Sequence, residues 1–175
     1  HGGMGFIEET GAAQHYRDAR ILTIYEGTTG IQALDLVGRK TLLNQGELLT
    51  RLLDEIGETV ALLQGSATLA HQAEALDDAL CAGRAALRVL LDNAKNDAHL
   101  AGSISVNFMM LFGYLCGGWL MARSALRAQA LLDSGNGDPQ FLDAKRITAD
   151  FYAEQLLPRV HALLAAISSG SKSIM

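Results

Sequence analysis

The stretch ELLTRLLDEIGETVALLQ, from Glu47 to Gln64, decides the fold class of this 175-residue chain. Its apolar side chains recur every three or four residues, at Leu49, Leu53, Ile56, Val60 and Leu63. Because an α-helix has about 3.6 residues per turn, this spacing places them along one face. The stretch therefore predicts an amphipathic helix that buries this face against other elements.

Three further helices are predicted after this one, over Thr68 to about His99, Ser103 to Leu132, and Asp138 to about Ser168. The pair Asp138-Pro139 is typical of a helix start, because aspartate caps the first turn and proline tolerates its first position. Pro158 predicts a kink, since it lacks a backbone donor. Short connections favour antiparallel neighbours, so we expect an all-α chain in which residues 42–175 form an antiparallel four-helix bundle.

The third of these helices contains an uncharged segment, Ile104 to Met121, that approaches the length of a membrane span. Asn107 and three glycines interrupt the apolar run, and Arg123 and Arg127 follow at helical spacing. We therefore expect a buried helix or a subunit-interface helix, and no membrane span.

Composition allows a sizeable core and narrows the class of function. Hydrophobic residues make up 49% of the chain, and the 14 basic and 19 acidic residues give a formal charge of −5. No Lys/Arg cluster stands out, so no nucleic-acid partner is expected. Cys81 and Cys116 lack metal-like spacing and are interpreted as reduced core thiols of a cytoplasmic protein. No metal site is predicted, because no two histidines have the i, i+4 spacing of a helical site.

The N-terminal part, residues 1–41, is organised differently. A helix is predicted from about Thr10 to Arg20, then a loop, then a helix from Thr28 to about Thr41. Thr28 is a suitable N-cap, since its hydroxyl can accept a hydrogen bond from a free backbone N–H.

Glu26 lies in that loop, within ILTIYEGTTGIQALDL, between an aromatic residue and a Gly-Thr-Thr-Gly turn. Enclosure among Ile24, Tyr25 and an apolar ligand would make the carboxylate a stronger base, because burial disfavours its charged form. The alternative is an acidic residue that stabilises the dipole of the following helix, and spacing alone favours this alternative. The glycines at Gly2 and Gly3 are equally ambiguous: they can approach a pyrophosphate or end an upstream helix.

Read together, HGGMGF and HYRDARILTIYEGTTGIQ resemble the C-terminal part of the acyl-CoA dehydrogenase family of flavoproteins. That family has a Gln-x-x-Gly-Gly-x-Gly stretch, then Tyr-Arg-Asp-Ala, then Ile-Tyr-Glu-Gly-Thr before a helix. The resemblance covers about the first 40 residues. The longer C-terminal extension resembles that of the subgroup that includes 3-methylthiopropanoyl-CoA dehydrogenase.

The resemblance implies roles for particular residues. Glu26 would be the base that removes the α-proton of an acyl-CoA thioester, and its N–H would help hold the thioester carbonyl. Further roles follow by position: Tyr25 and Gly27 would line the substrate site, and FAD would be contacted by His1, Gly2, Gly3, Thr28, Thr29 and Gly30. Gly30 departs from many relatives, which carry Gln or Glu there, so no side-chain contact to FAD is expected from it.

The resemblance also implies a domain organisation and partners. Residues 1–41 would end the C-terminal helical domain of an acyl-CoA dehydrogenase, and residues 42–175 would be an appended bundle. The chain starts inside the first flavin motif, so we expect a C-terminal fragment that binds FAD poorly and has no dehydrogenase activity alone. The parent would form a homo-oligomer, a dimer or tetramer, and pass electrons to electron-transfer flavoprotein. A competing hypothesis is a non-catalytic helical module for oligomerisation or partner docking.

Overall fold

The computed structural model describes residues 1–172, and all regular structure in that range is helical. The all-α prediction is confirmed. Within these described residues, seven α-helices follow in order: α1 (Ala12–Ile21), α2 (Thr29–Asp35), α3 (Glu47–Gln64), α4 (Ala70–Asn93), α5 (Leu100–Asp133), α6 (Pro139–Gln155) and α7 (Arg159–Ser168). A π-helical segment, Leu36–Leu42, continues α2, and short 3-10 turns occupy Gly2–Gly5, Glu8–Thr10 and Ala67–Leu69.

The bounds of α3 agree with the prediction at both ends. The predicted second helix, Thr68 to His99, is shorter in the structure and ends at Asn93. The Asp97 carboxylate accepts the backbone N–H of His99, 3.0 Å away, and so satisfies a donor just ahead of α5. A local side-chain bond of this kind competes with helix continuation, which explains the earlier end.

The predicted last helix is two helices in the structure, α6 and α7. Asp138 caps α6 as expected, because its side chain accepts the N–H of Gln140 at 3.0 Å. The chain leaves α6 after Gln155 and resumes as α7 after Pro158. Proline has no backbone donor to continue the ladder, so the expected kink is a full break.

Helix α5 lies at the centre of the molecule and packs against α2, α3, α4, α6 and α7. Phe108 is fully buried on it, and its ring lies 4.7 Å from that of Phe112. The indole N–H of Trp119 donates to the Thr59 hydroxyl of α3 at 2.7 Å. These contacts tie α5 into the core that α3 and α4 share. The specific four-helix antiparallel arrangement stays a prediction.

Glycine allows the α6–α7 junction to approach α5 closely. A Cβ on Gly118 would lie 2.8 Å from a methyl carbon of Leu157. Beside it, the Tyr152 hydroxyl of α6 donates to the Tyr114 carbonyl of α5 at 3.1 Å. Two of the glycines that interrupt the apolar segment thus face the α6–α7 side, because a Cβ on Gly117 would also collide with Tyr152.

Length and composition would let α5 cross a membrane, and 39% of its most apolar 18-residue window is buried in the described chain. The same signal comes from the core helix of a water-soluble protein, so it is weak evidence for a span. The packing of α5 on five other helices agrees with the expected buried helix.

Helix α2 and the π-helical segment connect the N-terminal part to the bundle. Ala33 and Val37 are both fully buried, and these two elements pack on α5. The sequence predicted an uninterrupted α-helix to Thr41, but the helix widens after Asp35. The Thr41 hydroxyl donates to the Leu36 carbonyl, five residues earlier, at 2.8 Å, a contact that accompanies the wider turn.

Candidate functional site

The Glu26 loop begins where α1 ends. The backbone N–H groups of Ile24 and Tyr25 both donate to the Ile21 carbonyl, each at 3.0 Å. The resulting tight turn brings the chain to Glu26, three residues before the first residue of α2. The loop is therefore held between two helices of different character, because α1 has no buried residue whereas α2 is anchored on the core.

Glu26 itself adopts a left-handed backbone conformation, with φ of 56°. A residue with a Cβ rarely occupies this region, and the conformation costs roughly 1–2 kcal/mol. Gly27 follows with φ of 118°, which favours glycine. Strained backbone of this kind persists where surrounding contacts enforce it, and such positions cluster at functional sites.

The side chain of Gln32 hydrogen-bonds the strained peptide. The Gln32 amide donates from Nε2 to the Glu26 carbonyl oxygen at 2.6 Å. A Cβ on Gly27 would lie 3.3 Å from Ile31 Cγ2 and 3.4 Å from Gln32 Nε2. Glycine at position 27 is thus favoured by its φ and by the close approach of α2.

Sequence reasoning missed Gln32. The available signal was a single amide side chain in the otherwise apolar start of the helix after the Gly-Thr-Thr-Gly turn. A contact between a carbonyl and a side chain six residues later is not a feature of regular helix geometry, so spacing did not point to it.

The backbone N–H of Glu26 donates to no acceptor within residues 1–172. Thr28 has the extended conformation of an N-cap, but its hydroxyl makes no capping bond. The prediction of a side-chain cap is therefore wrong, and the Thr28 contribution is its carbonyl, which accepts from the Gln32 N–H at 3.0 Å. The Thr28 side chain is exposed, so its hydroxyl remains available to a ligand.

The described chain does not enclose the carboxylate. Ile24 and Tyr25 are 47% and 50% exposed, and Glu26 is exposed as well. Ile31, in the first turn of α2, is 59% exposed. The apolar enclosure expected around the base is therefore not supplied by these neighbours, and the loop presents an open apolar surface with one acid on it.

The N-terminal glycines form a separate unit. Gly2–Gly5 is a 3-10 turn that packs on Glu8–Thr10, where the Thr10 hydroxyl donates to the Met4 carbonyl at 2.9 Å. Gly2 has φ of 54°, and neither Gly2 nor Gly3 would bring a Cβ within 4 Å of other atoms. Within the described residues this turn makes no substantial contact with α2, so the structure does not bring the two sets of proposed FAD contacts together.

Apart from the loop, an open groove of about 750 Å³ lies between α4 and the α6–α7 junction. His161 Nε2 and the Asp78 carboxylate lie 2.8 Å apart there, and both side chains are substantially exposed. No group of three His, Cys, Asp or Glu side chains that could hold a metal ion is present among residues 1–172. Within the described residues, the groove therefore presents an exposed His161–Asp78 contact and no grouped metal ligands.

Two protein-family models match the chain. The model described as "Acyl-CoA dehydrogenase, C-terminal domain" matches residues 1–41. The model described as "Acetyl-CoA dehydrogenase C-terminal like" matches residues 52–175, more than half of the chain.

Known proteins match over the whole chain or over its first part. A 3-methylmercaptopropionyl-CoA dehydrogenase of Ruegeria pomeroyi is 48% identical over 100% of this chain and 30% of its own length. A broad-specificity linear acyl-CoA dehydrogenase of Mycobacterium tuberculosis is 36% identical over 99% of this chain and 30% of its own length. The human mitochondrial short-chain specific acyl-CoA dehydrogenase is 60% identical over 37 residues, 21% of this chain and 9% of its own length. The chain thus spans about 30% of the length of the relatives that it matches throughout.

Proposed function

The chain belongs to the acyl-CoA dehydrogenase family, and from this premise we propose that it is the C-terminal portion of an FAD-dependent acyl-CoA dehydrogenase. The reaction is α,β-dehydrogenation of an acyl-CoA thioester. Residues 1–41 supply the catalytic loop and residues 42–175 form an appended helical bundle. The 175-residue chain alone is proposed to bind FAD poorly and to be inactive, because it spans about 30% of the length of its full-length matches.

We propose Glu26 as the base that removes the α-proton. The observation that carries this proposal is the strained, glycine-flanked turn, with Glu26 at φ 56° and Gly27 at φ 118°. A dipole-stabilising acid before a helix needs no such conformation, whereas a positioned base needs a defined backbone. Gln45 has the same φ of 56° ahead of α3, so the turn supports the catalytic alternative only together with the family match over residues 1–41.

The same turn offers a donor for the substrate carbonyl. The Glu26 N–H has no acceptor within the described residues, so it is free to donate to a thioester oxygen. Stabilising negative charge on that oxygen acidifies the α-carbon, because the enolate-like charge of the transition state lies there. Tyr25, half-exposed, and Gly27 would line the thioester site on either side of the acid.

The residues proposed to contact FAD fit such a role in part. The Thr28 hydroxyl makes no capping bond, and Thr28 is exposed, which suits a contact with a polar ligand group. Thr29 and the Gly30 backbone stand beside it at the start of α2, and His1, Gly2 and Gly3 form the exposed N-terminal turn. When bound, FAD would supply the acceptor of the β-hydrogen, which leaves as hydride to flavin N5.

The partners follow the family. We propose an acyl-CoA substrate, a homo-oligomeric parent (a dimer or tetramer), electron-transfer flavoprotein as electron acceptor, and a cytoplasmic location. The names of the two full-chain matches specify a sulfur-containing and a linear acyl group, so both classes belong in any substrate panel.

The test uses the full-length protein that carries this chain, loaded with FAD and mixed anaerobically with such a panel. Flavin absorbance is followed for the native protein, for Glu26→Gln, and for the control Glu58→Gln, which changes an exposed glutamate of α3. We expect bleaching in the native protein and the control, and none in Glu26→Gln despite retained FAD and thioester binding.

Two results would contradict the proposal. Equal bleaching in Glu26→Gln would place the base elsewhere in the protein. No response of the native flavin to any thioester would favour the helical interaction module instead.

A further inference from the structure

We infer that Gln32 is the positioning residue of the Glu26 base: its side-chain amide locks the Glu26–Gly27 peptide in its strained conformation and so orients the carboxylate. The inference deepens the proposed function and rests on it. Gln32 does not itself contact the carboxylate in the structure; it acts on the backbone that carries it.

The hydrogen bond is short and placed where it is needed. Gln32 Nε2 lies 2.6 Å from the Glu26 carbonyl oxygen. That oxygen belongs to the peptide between the two residues with positive φ, Glu26 and Gly27. Holding its carbonyl fixes the plane of that peptide and restricts both neighbouring dihedral angles.

No other side chain within residues 1–172 bonds this peptide. The preceding turn is closed by backbone bonds to the Ile21 carbonyl, but these stop at Tyr25. Without the amide of Gln32, therefore, no described polar contact from a side chain holds the Glu26–Gly27 peptide and the adjoining φ of 118° at Gly27.

Gln32 also lies on a helix that is anchored in the core. Its neighbour Ala33 is fully buried, and α2 packs on the central helix α5. The Gln32 N–H donates to the Thr28 carbonyl at 3.0 Å, which closes the first turn of α2. The Gln32 amide thus connects the loop to a helix that packs on the bundle core. Helix α1, on the other side of the loop, has no buried residue and gives no such anchor.

The expected consequence is a loss of rate with little loss of binding. A misplacement of a catalytic group by about 1 Å can lower a rate roughly 100-fold. We therefore expect loss of the Gln32 amide to slow flavin reduction by roughly 10- to 100-fold. FAD content and the affinity for a thioester that the enzyme cannot oxidise should change far less, since neither ligand contacts Gln32 in this proposal.

The experiment compares Gln32→Met with the native full-length, FAD-loaded protein. Methionine keeps the length of the side chain and removes the donor. Gln129→Met is the matched control, because it deletes an amide that donates a bond of similar length, 2.7 Å, to Asp133 within α5 and has no described hydrogen bond to the loop. Three quantities are measured: the rate of anaerobic flavin reduction, the dissociation constant of the non-oxidisable thioester, and amide hydrogen exchange in the peptide that spans residues 21–36.

The expected result for Gln32→Met is faster exchange around residues 26–28 together with the loss of rate, both absent in Gln129→Met. Unchanged exchange, or faster exchange with the native rate, would overturn the inference. If Gln32→Met fails to retain FAD, Gln32→Glu replaces it, since glutamate keeps the length and polarity but has no N–H to donate when ionised. Glu26→Gln, measured in parallel, separates the role of Glu26 from the role of Gln32. Normal flavin bleaching in Glu26→Gln would contradict the proposed base itself, whatever the Gln32 variants show.

Discussion

Replacing Gly27 with alanine tests whether the strained turn matters for catalysis. At φ 118° an L-residue is disfavoured, and the new Cβ would lie 3.3 Å from Ile31 Cγ2 and 3.4 Å from Gln32 Nε2. Backbone strain of this type costs roughly 1–3 kcal/mol. The loop is exposed, so we expect it to relieve the strain by moving, which carries Glu26 away from its position.

The expected effect on catalysis is larger than the effect on stability. Displacement of the base by about 1 Å predicts a loss of roughly 100-fold in the rate of flavin reduction. A hundredfold loss corresponds to about 2.7 kcal/mol in the activation barrier. Because the change is confined to an exposed loop, the midpoint of thermal unfolding of the bundle should stay close to the native value.

Gly135→Ala is the matched control. Gly135 has φ of 68° in the loop after α5, and a Cβ there would meet no atom within 4 Å. A residue with a Cβ is thus placed at positive φ far along the chain from Glu26, and the rate should stay native. Stopped-flow absorbance of the full-length protein with a thioester substrate measures both variants. A native rate in Gly27→Ala, or an equal loss in Gly135→Ala, would refute the link between the turn and the base.

Three other predictions concern the bundle and its surface. Phe108→Ala removes a fully buried ring and should lower the free energy of unfolding by about 3–5 kcal/mol. Phe151→Ala, at a position 58% exposed, should lower it far less. Urea unfolding followed by the fluorescence of the single tryptophan compares the two variants. The Ser171 hydroxyl hydrogen-bonds the Asp97 carboxylate and lowers the pKa of that carboxyl. The stabilisation from this carboxylate is therefore present above the ordinary pKa of 3.8 and is lost as the pH falls through the lower folded pKa. Asp97→Asn should flatten the pH dependence of the free energy of unfolding in this acidic window. A thiol reagent should modify exposed Cys81 before half-buried Cys116, because burial raises the pKa of the Cys116 thiol; mass spectrometry of partly labelled protein gives the order, and equal rates would contradict it.

Helix prediction succeeded where the sequence signal was local. The bounds of α3 follow from apolar spacing over Glu47–Gln64, and the start of α6 follows from Asp138 and Pro139. It was less accurate where a side chain ends a helix early, as at Asp97 ahead of α5. The widening of α2 into the π-helical segment was also missed, because helical periodicity does not distinguish i+4 from i+5 pairing over so few residues.

The candidate site likewise combines a residue predicted from its motif with contacts that only the tertiary structure shows. Glu26 was predicted from its motif, and residues 1–41 match the family model of the acyl-CoA dehydrogenase C-terminal domain. Its left-handed backbone, the unused N–H and the Gln32 contact were not predicted, since each depends on how the loop closes against α2. The role of Glu26 as a base stays a prediction until flavin reduction is measured.

Local physical chemistry was enough to specify an all-helical chain, since helix hydrogen bonds join residues about four apart and amphipathic spacing marks the face that is buried. The tertiary structure decided the rest: α5 in the centre, α2 packed on it with Ala33 buried, and Glu26 held in a conformation that its own residue type disfavours. A strained backbone persists only when contacts from elsewhere enforce it, and no local preference of the sequence encodes such contacts.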